Sequence, residues 1–402
     1  MREGWKEKTI GEVCDVVNGG TPKTGVSGYW GGSYQWITPA EMGKRVTPYI
    51  QQTERTITSE GLRNSSARLL PPHSVILSSR APIGYLVINT APMATNQGCK
   101  GLVPNKEIDH KFLFYYLESI VKLLNELGSG ATFKELSSGK LKEIPIPIAP
   151  LPEQRRIVAI LDEAFEGIAT AKANAEKNLQ NGHEVFESHL NAVFSQRGEG
   201  WVEKRIDEIC SIKHGFAFKG HFFSNNGEYA LLTPGNFYES GGYRDRGERQ
   251  KYYIGDFPRE YLLKKGDLLL AMTEQAAGLL GSPILIPDSD RFLHNQRLGL
   301  VEHRTVEKFS NEFLFYLFNS KPVRMKINVS ASGVKVRHTS PKKIGIIQVC
   351  VPDSIAVQRR IADTLYKLHQ ETQHLESLYQ QKLTALDELK QSLLHQAFNG
   401  DL

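Results

Sequence analysis

The feature that most constrains the fold is an internal repeat of about 200 residues that covers nearly the whole chain. Tryptophan, isoleucine, cysteine, asparagine and glutamine residues recur in step between the two copies. The matched positions are Trp5 and Trp201, Ile10 and Ile206, Cys14 and Cys210, Asn96 and Asn295, and Gln154 and Gln358. Their offset grows from 196 to 204 residues, as expected when the loops of a duplicated unit change in length. A repeat of this length exceeds the period of solenoids and propellers, so the sequence predicts a duplicated domain.

The length and composition of the chain are those of an ordinary globular protein with more than one domain. It has 402 residues, of which 40% are hydrophobic and 23% are charged. No run of 18 apolar residues occurs and the first residues lack an apolar signal region, which predicts a cytoplasmic protein. The four cysteines lie far apart without a CxxC pair, which argues against a zinc site or a disulfide framework.

The charge of the chain alternates along the repeat. Residues 1–150 and 201–350 carry net charges of +4 and +6, whereas residues 151–200 and 351–402 carry −3 and −2. The overall charge of +5 therefore hides two basic blocks, which are candidate anion-binding surfaces. A chance imbalance is the alternative, but the alternation follows the repeat.

Each copy divides into two halves of different character. The first halves, residues 1–150 and 198–350, are rich in glycine, proline, aromatic and β-branched residues. Short apolar runs between turn residues, such as 74–77, predict buried strands, and segments such as 111–127 predict helices. The predicted fold class is therefore α+β, with two duplicated mixed α/β domains.

The second halves, residues 151–197 and 351–402, predict two long helices. Apolar residues recur at spacings of four and three, which is the heptad pattern of a coiled coil. The predicted seam of the second helix consists of Ile361, Leu365, Leu368, Leu375, Tyr379, Leu386, Leu389 and Leu393. Two matching seams can bury each other, so we expect an antiparallel coiled coil that separates the two domains in a dumbbell with approximate two-fold symmetry. Two amphipathic helices, each packed on its own domain, are the alternative.

The chain lacks the sequence motifs of common catalytic sites. It has no GxxxxGK[ST] phosphate loop, no GxGxxG turn after a strand, no HExxH motif, no GxSxG elbow and no [DNS]PP[YFW] methyltransferase loop. Asp288 and Asp290 lie in a turn without the further acid and lysine of a nuclease site, and the histidines show no metal-ligand spacing. The sequence therefore predicts a chain without catalytic activity, bound metal or cofactor of its own.

Loops of the two α+β domains mix basic, amide and hydroxyl side chains with glycine, which favours binding over catalysis. Arginine and lysine neutralise phosphates and read guanine, while asparagine and glutamine pair with adenine. The candidate DNA-binding residues of the first domain are Thr38, Lys44, Arg45, Arg80, Asn96, Gln97, Thr132 and Lys134. Those of the second domain are Thr233, Asn236, Arg244, Arg246, Asn295, Gln296, Lys335 and Arg337. The structural alternatives are solvated lysine loops and a turn-bracing role for the two Asn-Gln pairs.

The two copies agree at framework positions but differ in their loops. Residues 28–32 of the first copy have no clear counterpart in the second. Two similar scaffolds with different loops predict a protein that reads two different DNA half-sites at a fixed separation, as dimer geometry sets half-site spacing in symmetric DNA binders.

With these features the chain resembles the specificity (S) subunits of type I restriction-modification systems. The resemblance rests on the duplicated Trp-x-x-x-x-Ile-x-Glu starts, the Pro-rich segment 144–147, and the sequence LPEQRRIVAIL at residues 151–161, which opens the first long helix. The last motif returns at residues 355–365 without its Pro-Glu pair, and residues 393–402 are also typical of the family. The resemblance covers the whole chain.

The resemblance implies two target recognition domains, residues 1–150 and 198–350, held apart by the central helical region 151–197 and the C-terminal helical region 351–402. Such subunits read a bipartite, asymmetric DNA site with one domain for each half-site and have no catalytic activity. They recruit two modification subunits, which methylate adenine with S-adenosylmethionine, and restriction subunits that use ATP and Mg²⁺. The helical regions would dock these partners, and the candidate docking residues are Pro152, Glu153, Gln154, Arg155, Gln358 and Arg359.

Three other functions stay open at this point. A coiled-coil adaptor that only spaces protein partners would show no salt-sensitive DNA binding. The specificity component of a type IIB-like restriction-modification system would differ only in its partner chains. A self-sufficient enzyme fragment would bind S-adenosylmethionine by itself.

Overall fold

The chain folds into two compact units, which a computed structural model describes over residues 4–45, 47–130, 134–195, 198–275, 277–303 and 309–402. Unit 1 consists of Met1–Glu176 with Gln381–Leu402, and unit 2 consists of Lys177–Gln380. Each unit contains one α+β part and a segment of both long helices. Among the described residues, no helix combines the length and the apolar character that a membrane span requires.

Short strands and short helices alternate in the α+β part of unit 1, as its apolar runs and frequent turn residues predict. The strands are β1 (Lys6–Thr9), β2 (Cys14–Asn18), β3 (Trp30–Ile37), β4 (Tyr49–Ile50), β5 (Thr56–Ile57), β6 (Val75–Ser79), β7 (Ile83–Asn89), β8 (Met93–Thr95), β9 (Cys99–Pro104) and β10 (Pro145–Ile148). The helices are α1 (Ile10–Val13), α2 (Pro39–Met42), α3 (Ser59–Arg63), α4 (His110–Ser119), α5 (Val121–Leu127), α6 (Ser138–Lys142) and the long helix α7 (Leu151–Ser195).

The strands of unit 1 form a five-stranded sheet in the order β2-β9-β6-β7-β4, a three-stranded sheet in the order β5-β3-β8, and the pair β1-β10. Strand β6 is buried along its whole length because both of its faces contact apolar cores. Val75 and Leu77 lie in the core that includes helix α4, whereas Ile76 lies in a second core with residues of β3 and β8.

Helix α4 joins the sheet of unit 1 to the long helices. It begins at Asp109, whose side chain accepts hydrogen bonds from the backbone N–H groups of Lys111 and Phe112. The Phe112 ring packs edge-to-face on Trp5 and Phe398, with centroids 6.4 and 5.1 Å apart. The repeated tryptophan and the end of the chain therefore meet on this helix.

The α+β part of unit 2 has the same alternation of short elements. Its strands are β11 (Trp201–Arg205), β12 (Cys210–His214), β13 (Phe223–Ser224), β14 (Tyr229–Leu231), β15 (Tyr252–Tyr253), β16 (Leu268–Ala271), β17 (Thr273–Glu274), β18 (Pro283–Leu285), β19 (Phe292–Leu293), β20 (Leu298–His303), β21 (Arg337–His338) and β22 (Gln348–Pro352). Its helices are α8 (Ile206–Ile209), α9 (Asn311–Asn319), α10 (Lys321–Ser330), α11 (Pro341–Gly345) and the long helix α12 (Ile355–Asn399).

The sheets of unit 2 repeat part of the topology of unit 1. They are β12-β20-β16-β18, β13-β15-β14-β19 and the pairs β11-β22 and β17-β21. The order β12-β20-β16 corresponds to β2-β9-β6, and the parallel pair β14-β19 corresponds to the parallel pair β3-β8. The predicted α+β class, with two repeated domains and two long helices, is confirmed.

The long helices pack antiparallel within unit 1. Near the start of α7, Arg156 donates a hydrogen bond of 2.7 Å to the carbonyl of Leu402, and further along, Lys172 pairs with Asp387 at 2.6 Å. Seam residues of α7 such as Ile157 are fully buried. In this segment the helices bury each other's apolar faces, as the heptad pattern predicts.

At two of the predicted seam positions of α12, the residue that faces the seam is the one after the predicted leucine. Leu375 and Leu389 are 43% and 47% exposed, whereas the residues that follow them, Glu376 and Lys390, are partly buried. In unit 2, Glu376 lies 3.6 Å from His183, and in unit 1, Lys390 pairs with a glutamate of α4 at 2.7 Å. These two seam positions are therefore filled by polar side chains that have polar partners. A heptad assigned from apolar residues alone could not identify them, so the predicted register is wrong at Leu375 and Leu389.

In each unit, the strand at the repeated tryptophan pairs with the strand that leads into a long helix. Lys6 of β1 lies opposite Ile148 of β10, and Trp201 of β11 lies opposite Pro352 of β22. The first and last strands of each α+β part are therefore neighbours.

Candidate nucleic-acid interface

Two parallel strands place two loops side by side in each unit. In unit 1, β3 leads into the Thr-Pro turn (residues 38–39), and β8 leads into the Asn-Gln turn (residues 96–98). Because the strands run parallel, both turns leave the sheet at the same edge. In unit 2, the parallel pair β14 and β19 leads into the equivalent turns at residues 233–234 and 295–297.

The Asn-Gln turn contains the same hydrogen bond in both units. Asn96 Oδ1 accepts a hydrogen bond from the backbone N–H of Gly98 at 2.8 Å, and Asn295 Oδ1 accepts one from Arg297 at 3.0 Å. Asn96 is half-buried and Asn295 is buried. These bonds favour the turn-bracing role for both asparagines over the predicted contact with DNA.

A glycine that directly follows β2 in unit 1 and β12 in unit 2 packs against each Asn-Gln turn. A Cβ atom at Gly19 would lie 1.9 Å from the carbonyl oxygen of Asn96, and one at Gly215 would lie 2.2 Å from that of the equivalent asparagine. No larger residue fits at such distances without a shift of the backbone. The turn is therefore held tightly, and it carries Gln97 and Gln296 on its exposed side.

Hydrogen bonds to threonine hold the Thr-Pro turn. Thr38 Oγ1 accepts a bond from the backbone N–H of Glu41 at 3.3 Å, while the backbone N–H of Thr233 donates to Asn236 Oδ1 at 3.0 Å. Asn236 is fully buried, and its Nδ2 also donates to Gln250 at 2.7 Å. This burial favours a structural role for Asn236 over its predicted DNA contact. Both threonines stay partly exposed.

A third loop, the Ser-Gly loop, is described at residues 129–130 and 134–135 in unit 1 and at residues 332–338 in unit 2. The first and last residues of each loop exchange two backbone hydrogen bonds of 2.8–3.1 Å, which close its neck. Lys134 and Lys335 are exposed on these loops. Thr132 lies outside the described residues.

One strand end in each unit joins the Ser-Gly loop to the Asn-Gln turn. The N–H of Ser79 donates to the carbonyl of Gly98 at 2.8 Å, and the carbonyl of Ser79 accepts from Leu136 at 2.9 Å. Met272 makes the equivalent two bonds in unit 2, both 3.0 Å long. The Thr-Pro turn, the Asn-Gln turn and the Ser-Gly loop thus form one surface in each unit, which we call the three-loop edge.

Two cations near the three-loop edge of unit 1 form exposed ion pairs. Arg80, which is 43% exposed, lies 3.9 Å from Glu135 at the neck of the Ser-Gly loop, and Lys44, after α2, lies 3.1 Å from Glu54. Exposed pairs contribute little stability, so phosphates can replace these two carboxylates at small cost. Arg45 differs, because it lies 3.9 Å from Glu41, whose side chain is only 7% exposed.

The three-loop edge of unit 2 borders a cleft of about 1100 Å³. Its lining includes Thr233, Val336, three arginines and three glutamates: Arg244, Arg246, Arg297, Glu187, Glu239 and Glu274. Of these carboxylates, Glu274 is paired with Arg337 at 2.8 Å. Arg297 directly follows the repeated Asn-Gln pair, at the position where unit 1 has Gly98. The structure thus gathers side chains from distant segments into one surface that can bind phosphates and base edges.

Arg337 anchors the Ser-Gly loop of unit 2. Its guanidinium pairs with Glu274 at 2.8 Å and donates to Oδ1 and to the backbone carbonyl of Asn328 at 3.0 and 2.6 Å. The Glu274 side chain is 1% exposed, so loss of the arginine would leave a buried carboxylate without its ion pair. These contacts favour a structural role for Arg337 over the predicted DNA contact.

A buried histidine lies next to the Asn-Gln turn of unit 2. His294 directly precedes Asn295, and its Nε2 donates to the carbonyl of Leu298 at 3.0 Å. Burial lowers the pKa of His294 to about 4, so the imidazole is neutral at pH 7. Unit 1 has Thr95 at the equivalent position, so only unit 2 carries a titratable group there.

Among the described residues, no cluster of three or more His, Cys, Asp or Glu side chains could hold a metal ion. Burial raises the pKa of the Cys14 and Cys99 thiols to about 12, so both stay protonated.

The repeat also appears in a comparison with protein families. A family model described as the type I restriction modification DNA specificity domain matches residues 2–180 and again residues 198–385. The chain belongs to this family. Each unit therefore contains one copy of the DNA specificity domain, and the resemblance recognised in the sequence is confirmed.

Two curated relatives are named as specificity subunits of type I restriction enzymes. The type I restriction enzyme MjaIX specificity subunit of Methanocaldococcus jannaschii is 32% identical over 228 residues, which cover 52% of this chain and 52% of that protein. The EcoR124I/EcoR124II specificity subunit of Escherichia coli is 32% identical over 48% of this chain and 50% of that protein. The chain thus spans about half the length of these relatives.

A solved structure shows the same fold over the full chain. It is described as the structural basis of complex assembly and conformational transition of the type I R-M system. Its TM-score is 0.78, with 18% identity over 100% of this chain and 99% of the other.

Two of the candidate docking residues of this specificity-domain chain are buried. Gln154 Nε2 donates to the carbonyls of Glu107 and Ala149, both at 2.8 Å, and Gln358 Nε2 donates to the carbonyl of Pro352 at 3.0 Å. These bonds tie the start of each long helix to its α+β part. They favour a structural role for both glutamines over partner docking.

The neighbours of these glutamines are on the surface. Pro152, Arg155 and Arg359 are exposed, and Glu153 forms an ion pair of 2.7 Å with Arg156. Arg155 and Arg359 each directly follow the buried glutamine of their unit. Their docking role stays a prediction.

Proposed function

We propose that this chain is the DNA-reading subunit of a type I restriction-modification complex and that each unit reads one half of a bipartite, asymmetric site. The observation that carries the proposal is the three-loop edge, in which the hydrogen bonds of the Asn-Gln turn and of the Ser-Gly loop neck recur in both units while other side chains of the edge differ. Gly98 follows the Asn-Gln pair in unit 1, where Arg297 follows it in unit 2. A shared scaffold with unlike contacts suits two unlike half-sites.

The exposed side chains of the edge have the chemistry of direct readout. The amides of Gln97 and Gln296 can each form two hydrogen bonds with adenine, and the guanidinium of Arg297 can form two with guanine. Lys44 and Lys134 have charges suited to phosphates, which supply affinity without sequence preference. Base contacts therefore come from the Asn-Gln turn in both units, with phosphate contacts around it.

The chemistry of the complex resides in partner chains. The proposed partners are two modification subunits, which bind S-adenosylmethionine and methylate adenine, and restriction subunits, which use ATP and Mg²⁺. This chain performs no catalysis and holds no cofactor. Arg155 and Arg359, exposed at equivalent helix starts, are the proposed docking contacts.

The test is co-expression of the full chain with its neighbouring modification subunit, followed by mapping of methylated adenines across the host genome. We expect methylation confined to one bipartite motif with a fixed spacer of unspecified sequence. The modification subunit expressed alone is the control and should produce no motif. A stable complex that methylates no motif would overturn the proposal in favour of the adaptor function.

A further inference from the structure

The tip of the Ser-Gly loop of unit 2 exposes two apolar side chains. Val334 is 98% exposed and Val336 is 47% exposed, with the exposed Lys335 between them. Covering apolar side chains that project into water lowers the free energy, which favours the binding of a partner.

The loop holds these valines in place before any partner arrives. Two backbone hydrogen bonds of 3.0 and 2.8 Å between Ser332 and His338 close its neck, and the buried ion pair of Arg337 with Glu274 anchors its base. A preorganised loop loses little conformational freedom on binding, so covering its tip yields more net affinity.

The residues around Val336 indicate which kind of partner would cover the two valines. Val336 lines the same cleft as Arg244, Arg246 and Arg297. Arginines suit phosphates and guanine, so DNA in this cleft would bring base edges close to the loop. In the major groove, thymine differs from the other bases in presenting a C5-methyl group, and apolar side chains contact that methyl.

We propose that Val334 and Val336 read thymine C5-methyl groups in the half-site bound by unit 2. The inference rests on the function proposed above and deepens it, because it names a base and the group on that base. A rigid apolar tip discriminates thymine from cytosine by contact with the methyl, without a hydrogen bond.

The experiment removes the methyl and the valines separately. The full chain, in complex with its modification subunits, first selects duplexes from a randomised library, which yields the motif. Each thymine of the motif is then replaced by deoxyuridine, which pairs identically but lacks the methyl. Dissociation constants are measured by fluorescence anisotropy for the wild type, for the double variant V334S/V336S, and for the control V329S, at a valine of helix α10 that is 87% exposed.

We expect deoxyuridine at one or two positions of one half-site to weaken the wild type about fourfold per methyl, the effect of losing one buried apolar carbon. The double variant should bind thymine duplexes with this weakened affinity and show no further loss on deoxyuridine. V329S should behave as the wild type. Thermal unfolding midpoints equal to that of the wild type confirm that the variants fold.

Other outcomes overturn the inference. Equal effects of deoxyuridine in the wild type and the double variant, or a motif without thymine in the half-site of unit 2, refute the methyl contact while DNA reading stands. A loss for the double variant on every duplex, irrespective of the methyl, would assign the valines to insertion between base steps. Selection of no motif would instead refute the proposed function itself.

Discussion

The three-loop edges of units 1 and 2 share the hydrogen bonds of the Asn-Gln turn and of the Ser-Gly loop neck but differ in several of their side chains. In unit 1, Gly98 presents no side chain after the Asn-Gln pair, and Arg80 lies beside a carboxylate. In unit 2, Arg297 occupies that position and lines a cleft with Arg244 and Arg246. The difference teaches that backbone hydrogen bonds fix the position of these loops, so the side chains on them can change without affecting the fold.

The largest effect is expected for a change to the shared framework. In Gly215→Ala, the new Cβ would lie 2.2 Å from a backbone carbonyl, so the Asn-Gln turn must move. We expect the free energy of unfolding of unit 2 to fall by at least about 3 kcal/mol, measured by urea unfolding. Gly220→Ala is the matched control, because no atom lies within 4 Å of a Cβ there, and it should change stability by less than about 0.5 kcal/mol. Equal effects of the two substitutions would contradict a fixed framework.

The second prediction concerns the pH dependence of stability, which should differ between the units because only unit 2 has a buried histidine at the Asn-Gln turn. Burial lowers the pKa of His294 from 6.5 to about 4, so the unfolded chain binds a proton more readily than the folded one. The stability from this group is complete above pH 6.5 and is lost as the pH falls toward 4, by up to about 3 kcal/mol. His294→Thr, which copies Thr95 of unit 1, should remove that part of the pH dependence.

The measurement is the unfolding midpoint of unit 2 between pH 8 and pH 4.5, for the wild type and His294→Thr. The difference between the two curves isolates this histidine from the other eleven. Parallel curves would show that His294 is not the source of acid sensitivity.

The third effect exchanges specificity while leaving stability alone. Arg297→Gly gives unit 2 the residue of unit 1 and should relax discrimination at one base pair by about 1–3 kcal/mol, because the proposed bidentate contact with guanine would be lost. The readout is the dissociation constant for duplexes that differ at each position of the motif. Arg291→Gly, at an exposed arginine that pairs with Asp288 at 3.9 Å, is the control and should leave base preference unchanged. A uniform loss over all duplexes would reassign Arg297 to a phosphate.

The smallest effect is expected for a phosphate contact of unit 1. Lys44→Ala should weaken binding to all sequences alike and reduce the slope of log K against log salt concentration by about 0.9. Lys382→Ala, at an exposed lysine of helix α12, should leave the slope unchanged. Titrations at several salt concentrations compare the two variants, and identical slopes would remove Lys44 from the interface.

Much of the architecture could be predicted from the sequence, because residues that stabilise the fold recur at equivalent positions of the two copies and are easy to recognise there. Asn96 and Asn295 mark the same turn in both copies, and apolar runs such as Val75–Ser79 become buried strands. The equivalence of the two Ser-Gly loops could not be read from residue identity, since their necks depend on backbone hydrogen bonds. Side chains are almost free to differ there.

The candidate site was harder to predict than the fold, because one residue type serves both structure and recognition. Three residues have the chemistry of binding residues but form their hydrogen bonds or ion pairs with other groups of the protein: Asn236, Arg337 and Gln154. Arg297 has the same chemistry and lines the cleft. The deciding quantities, burial and partner geometry, are set by tertiary packing.

The pairing of the first and last strands of each α+β part has a consequence for engineering. Because β1 lies beside β10, and β11 beside β22, the two ends of each part lie about 5 Å apart in neighbouring strands. The chain between them can therefore lengthen without moving the start of the long helix. The copies already differ in this way, since their offset is 196 residues at the tryptophans and 204 at the glutamines. An entire α+β part from a relative can thus replace the native one through two junctions that lie side by side in neighbouring strands. Such an insertion site tolerates changes in the length of the inserted part.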